Sequence, residues 1–200
     1  MLRSSVARIV SLRGFILGML VLALTVLFTT LVQERKWDPL DMDFPAVGGF
    51  TRSARHDYPN PKAGYSVSYA GKEDLRVNVY VYNSGLAHIP DGASSNVVIE
   101  EIGLIEEALK DFKARGYYLP YAERKRGESR IGESPDVPRA QRRLFEIVDV
   151  NRGRILSDVY ITGYKNYFVE IRISCPEENQ AASERAAAPL LTALAKSLGS

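Results

Sequence analysis

Between Arg13 and Glu34 the chain runs for twenty residues without a single charge, GFILGMLVLALTVLFTTLVQ. As a helix rising about 1.5 Å per residue it would be about 30 Å long, the hydrocarbon thickness of a bilayer. A secretory signal has a shorter apolar stretch, about 7–15 residues, closed by small residues at a cleavage site. Here the run ends in LFTTLVQERKW, and the nearest small triplet, Ala46-Val47-Gly48, lies well past it. The stretch is therefore expected to stay in place as a transmembrane helix.

Its flanks set the orientation. Arg3, Arg8 and Arg13 precede the span and no acid does, so the positive-inside rule keeps the short N-terminus in the cytoplasm and sends the remainder across. Arg35 and Lys36 can snorkel at the far interface, where Trp37 suits headgroup depth. The expectation is a single-pass protein of the cytoplasmic (inner) membrane with an extracytoplasmic C-terminal domain. Two alternatives stay open. One is a chain secreted after signal cleavage; the other is the mitochondrial inner membrane, because MLRSSVARIVSLRG is rich in Arg and Ser and free of acids.

The chain has 26 basic and 24 acidic residues. The three N-terminal arginines supply that excess, so everything after the span is close to neutral, which argues against a nucleic-acid partner. Cys175 is the single cysteine, which excludes an intrachain disulfide and a zinc site of several thiolates. It is expected to act as a small hydrophobe at a strand end.

Four segments follow: a basic N-terminus over 1–13, the anchor over 14–33, a linker over 34–61 and a domain over 62–200. The linker reading rests on four prolines, Gly48-Gly49 and the acids Asp38, Asp41 and Asp43. In the domain, GYSVSYAG and RVNVYVYNSG alternate as strands joined across AGKEDL, with Val77, Val79 and Val81 opposite Asn78, Tyr80 and Tyr82.

Ser94, Ser95 and Asn96 offer N-caps for a helix carrying Val98, Ile102, Ile105, Leu109 and Phe112 on one stripe, closed at Gly116. Gly103 inside it implies a close neighbour. YYLPYAERK fits an edge strand, because Pro120 cannot donate to a central ladder. Three strands over 142–150, 154–162 and 167–174 are joined by connections short enough to demand antiparallel neighbours. A last helix places Leu191, Leu194 and Leu198 on one side, with Pro189 as a kink or start. The expected fold class is α+β: an antiparallel sheet of about six strands in the order β-β-α-β-β-β-β-α, packed with two helices and preceded by one transmembrane helix.

That order, with GYSVSY opening the first strand, YFVEIRISCP as the last and LAKSL ending the terminal helix, resembles the PsbP-like α/β/α sandwich over roughly residues 62 to 198. The resemblance implies a docking or assembly module and carries over no site.

No set of residues spells out a reaction. His56 and His88 sit in loops without metal-ligand spacing, no Gly-x-Ser-x-Gly turn follows a strand, and no phosphate-binding loop is present. No cofactor and no metal are expected. Glu100, Glu101, Glu106 and Glu107 read as the wet face of the first helix. The skewed feature is basic: nine Lys and Arg against five acids over 124–154, with Arg124, Lys125, Arg126 and Arg130 as a candidate surface for an anionic partner. Tyr80 and Tyr82, with Tyr160 beside them, suggest tyrosines covering a sheet face beneath a helix. The expected function is a membrane-anchored, non-enzymatic module of the cell envelope that binds a protein partner. The alternatives are an envelope hydrolase with dispersed catalytic residues and a carrier of a small apolar ligand held between sheet and helix.

Overall fold

A computed structural model describes residues 40, 42–132 and 137–199. The anchor expected over 14–33 lies outside the described residues, and no described helix is long and apolar enough to cross a membrane.

The elements are β1 (Thr51–Arg52), β2 (His56–Asp57), β3 (Tyr65–Ala70), β4 (Arg76–Tyr82), α1 (Asn96–Ala114), β5 (Tyr118–Arg130), β6 (Arg139–Asp149), β7 (Gly153–Tyr164), β8 (Tyr167–Pro176) and α2 (Gln180–Gly199). They form one eight-stranded antiparallel sheet in the order β1-β3-β4-β8-β7-β6-β5, with β2 also on the free edge of β3. The α+β class and the six long strands with two helices are as expected. The count of about six is corrected to eight by β1 and β2. Each is two residues long, too short for an alternating pattern to show. The same proline- and glycine-rich stretch also buries Met42 and Phe44, and the Tyr69 hydroxyl donates to the Pro45 carbonyl at 3.1 Å.

Local chemistry explains the long elements. Val77, Val79 and Val81 are fully buried while Asn78, Tyr80 and Tyr82 on the other face are half-buried, the signature of a strand whose two faces meet different neighbours. Between β7 and β8, Lys165 and Asn166 both have positive φ, 49° and 66°, which matches the two-residue turn favoured by the twist of an antiparallel hairpin. Pro120 falls within a register shift of β5, at the sheet's outer edge, as a residue without a backbone donor requires.

The helices cover opposite faces. The Ser95 side chain caps α1 by accepting from the Val98 amide, and Val98, Ile102 and Leu109 then pack on Phe145, Ile147, Val159, Ile161 and Phe168. The α1 contacts fall on β5, β6 and β7. Helix α2 lies against β8 on the other face and buries Ala187, Leu190, Leu191, Leu194 and Leu198; Pro189 sits inside it.

The close neighbour expected at Gly103 is absent: a Cβ there would have nothing within 4 Å. Gly103→Ala should therefore raise stability by up to about 1 kcal/mol, because the helix gains propensity and no contact is violated. Urea unfolding of the two chains side by side measures this, and a loss of stability would show that the helix needs glycine's backbone there.

Candidate functional site

Because α1 lies mainly over β5, β6 and β7 and reaches β8 and β4 only at its N-terminal end, much of the β3-β4-β8 part of the same face is left open. A cleft of about 560 Å³ lies there, lined by Tyr58, Asn60, Lys62, Ala63, Tyr80, Tyr82, Ser84, Glu170 and Arg172. Strand alternation supplies its floor: Tyr80 pairs with Glu170 and Tyr82 with Phe168 across β4 and β8, so tyrosine rings and charges share one face. The loop after β2 contributes Tyr58, whose hydroxyl is 3.1 Å from that of Ser66.

The floor holds a buried charge. Glu170 is 5% exposed, and its Oε1 accepts from Nη2 of Arg172 at 2.7 Å while Oε2 accepts from the Tyr82 hydroxyl at 3.2 Å. The Tyr80 ring stands 5.9 Å from the Arg172 guanidinium. Nε of Arg172 is buried with no hydrogen-bond partner among the described residues. A buried donor of that kind costs free energy until something accepts from it.

Glu101 of α1 turns toward this cluster and lies beside Tyr82 and Ser84, so it leaves the wet face on which it was expected. Burial, with Glu170 nearby, raises its carboxyl above the ordinary carboxylate range. Burial likewise raises the Tyr82 phenol, and Glu170 and Glu101 add to the shift. From Glu101, spacings of three, four and four lead through Leu104, Ala108 and Phe112 along one side of α1. Leu104 and Phe112 are exposed, and the Phe112 ring contacts Tyr117 and Tyr118 at 6.0 and 5.6 Å.

The raised Glu101 carboxyl makes a pH prediction. The folded chain binds this proton more tightly than the unfolded one, so its contribution is fully present below about pH 4.5 and is lost as pH rises through the elevated folded value. Glu101→Gln should remove that decline and leave the chain more stable than the parent at neutral pH. Urea midpoints for both chains between pH 4 and 8 test it, and parallel curves would refute it.

The other expected site residues are dispersed. Arg124 pairs with Glu146 and Glu177, whereas Arg126 pairs with Glu123 and with Glu106 of α1. Lys125 and Arg130 are exposed and have no ion pair with a described residue. Arg139, Arg142, Arg143, Arg152 and Arg154 pair with Glu128, Asp158, Glu106, Asp74 and Glu146. Glu106 and Glu107 both reach Lys110, and Glu100 is exposed. Tyr160 is not beside Tyr80 and Tyr82: it borders a cavity against α2, on the opposite face.

His88 Nδ1 is 2.9 Å from Asn166 Oδ1, and Asp91 accepts from the Lys165 amide at 2.7 Å. Cys175 is buried near the end of β8, as a small hydrophobe would be, and burial raises its thiol. Among the described residues no group of three or more His, Cys, Asp or Glu is disposed to hold a metal.

Sequence reading missed Glu170 and Arg172. The signal was present in YFVEIRIS: a Glu and an Arg two apart, on a strand whose other residues from Phe168 to Ile173 are all apolar.

No protein family matches this chain, and no curated protein does. The fold is similar to the solution structure of cyanobacterial PsbP (CyanoP) from Synechocystis sp. PCC 6803, at 12% identity over 77% of this chain and 83% of that one, with a TM-score of 0.46. The expected PsbP-like resemblance is thus found at the level of fold, without a family match.

Proposed function

We propose that this chain is a non-enzymatic binding module of the cell envelope, held to the cytoplasmic membrane by residues 14–33, and that it docks a protein partner in the tyrosine cleft beside α1. The observation that carries this reading is the open face itself. It combines Tyr58, Tyr80 and Tyr82 with a partly exposed Arg172 and the exposed Lys62 at the rim. Tyrosine and arginine are among the residue types that dominate binding energy at protein interfaces. Glu170 and Arg172 on the cleft floor are engaged with each other rather than aimed at a reacting atom.

A photocrosslinking residue at Lys62, on the cleft rim, tests the docking in membranes carrying the full-length chain. A discrete adduct from position 62, absent from Ala181 on α2, supports it; identical patterns from both positions, or none, would remove it. Alkaline extraction tests the tether: the full chain should stay with the membrane, and a chain starting after residue 33 should be released.

A further inference from the structure

A second cavity, of about 260 Å³, lies between the sheet and α2, on the face opposite the tyrosine cleft. Leu144, Leu156 and Ile173 wall it from the sheet. Ala187, Ala188 and Leu191 wall it from α2, where the two alanines leave space that larger side chains would fill. One end is polar. Arg142 donates from Nε and Nη2 to Asp158 at 2.8 and 2.6 Å, and the Tyr160 hydroxyl donates to the same carboxylate at 3.2 Å. Asp158 thus occupies one edge of the guanidinium, and Nη1 of Arg142 has no hydrogen bond to a described residue.

From this geometry we infer a binding site for a small neutral amphiphile, with an apolar body against the leucines and alanines and one hydroxyl or carbonyl oxygen accepting from Arg142 Nη1. Two features choose that class. Arg142 and Asp158 cancel, and Arg130 and Glu184 at the lining are again of opposite sign, so no net field selects an anion or a cation. Polar groups gathered beside an apolar wall orient a small ligand that has both an apolar body and a polar end, and this volume suits one below drug size. The site shares no residue with the tyrosine cleft and stands whether or not a protein docks there.

Cys175, the only cysteine, lines the cavity and serves as a reporter. Full-length protein in lipid nanodiscs is treated with N-ethylmaleimide, and the adduct is followed by intact mass in the presence of 1-octanol or of octanoate at equal concentration. Octanol in several-fold excess over its dissociation constant should slow labelling by about five-fold and raise the melting temperature, because it binds the folded state. Octanoate, of the same length but charged, should do neither. Ala188→Phe should fill the space and abolish the octanol effect; Ala188→Leu replaces it if circular dichroism shows that the phenylalanine variant does not fold. Equal protection by octanol and octanoate, no protection by octanol, or protection that survives the filling substitution would each overturn the assignment.

Discussion

Gly163→Ala is expected to cost about 4 kcal/mol and to lower the melting temperature by about 10 °C, although it adds one methyl group to a residue inside a strand. A Cβ at this position would lie 1.9 Å from the carbonyl oxygen of Pro90 and 3.0 Å from its carbon. Both are backbone atoms, so no side chain can swing aside. Strand β7 cannot retreat, because Gly163 is paired with Phe168 of β8 and the strand is paired with β6 from Ile161 back. The segment carrying Pro90 would have to move instead. That breaks the paired hydrogen bonds between Gly92 and Gly163, each 2.9 Å, and draws the buried Ile89 away from Val98 and Phe168. Two backbone bonds and part of a core contact account for the size of the effect. Gly92→Ala is the control. Its φ is +91° and its Cβ would meet nothing within 4 Å, so it should cost only the strain of a left-handed alanine, about 1 kcal/mol. Thermal melts of the two variants decide between close approach and backbone strain; equal losses would remove the first explanation.

Gly163 also shows where sequence reading stops. The elements whose periodicity is long were legible: the Val77-Val79-Val81 face of β4, the Ser95 cap and apolar stripe of α1, and the short turns that force β6, β7 and β8 to be antiparallel neighbours. Each of those is decided by residues a few positions apart. The approach of Pro90 to Gly163 links residues 73 positions apart in the chain, and nothing local marks either of them.

The tyrosine cleft was half legible for the same reason. Tyr80 and Tyr82 could be placed on one face from alternation alone. That Tyr160 lies on the other face depends on the register of β7 against β8, which fixes Val159 opposite Arg172 and Tyr160 opposite Ile171. Glu101 belonged to a run of acids that looked uniformly wet, and only the position of β4 beside α1 draws it inward. The basic run over 124–154 shows the same limit from composition. Composition counts charges, but pairing across β5, β6 and α1 brings Glu106, Glu123, Glu128 and Glu146 to most of those arginines.

The cleft separates stability from binding through a second substitution. Glu170→Ala is expected to destabilise the domain by about 3 kcal/mol. Removing the carboxylate leaves Arg172 without its counter-charge and the Tyr82 hydroxyl without its Glu170 acceptor. The Arg172 side chain keeps 34% of its surface in water, which puts the cost at the lower end of the range for a broken buried ion pair. Replacing both residues, Glu170→Met with Arg172→Leu, should recover most of that loss, because no uncompensated charge then remains and the new side chains lie against Tyr82 and Phe168. Binding should behave differently. If Arg172 and the tyrosine floor hold a partner, the double variant folds like the parent yet no longer gives an adduct from the crosslinker at Lys62. Urea midpoints of the single and double variants, read beside that crosslink, distinguish an ion pair kept for stability from one kept for recognition. A double variant that is both stable and fully crosslinked would assign Glu170 and Arg172 to the fold alone.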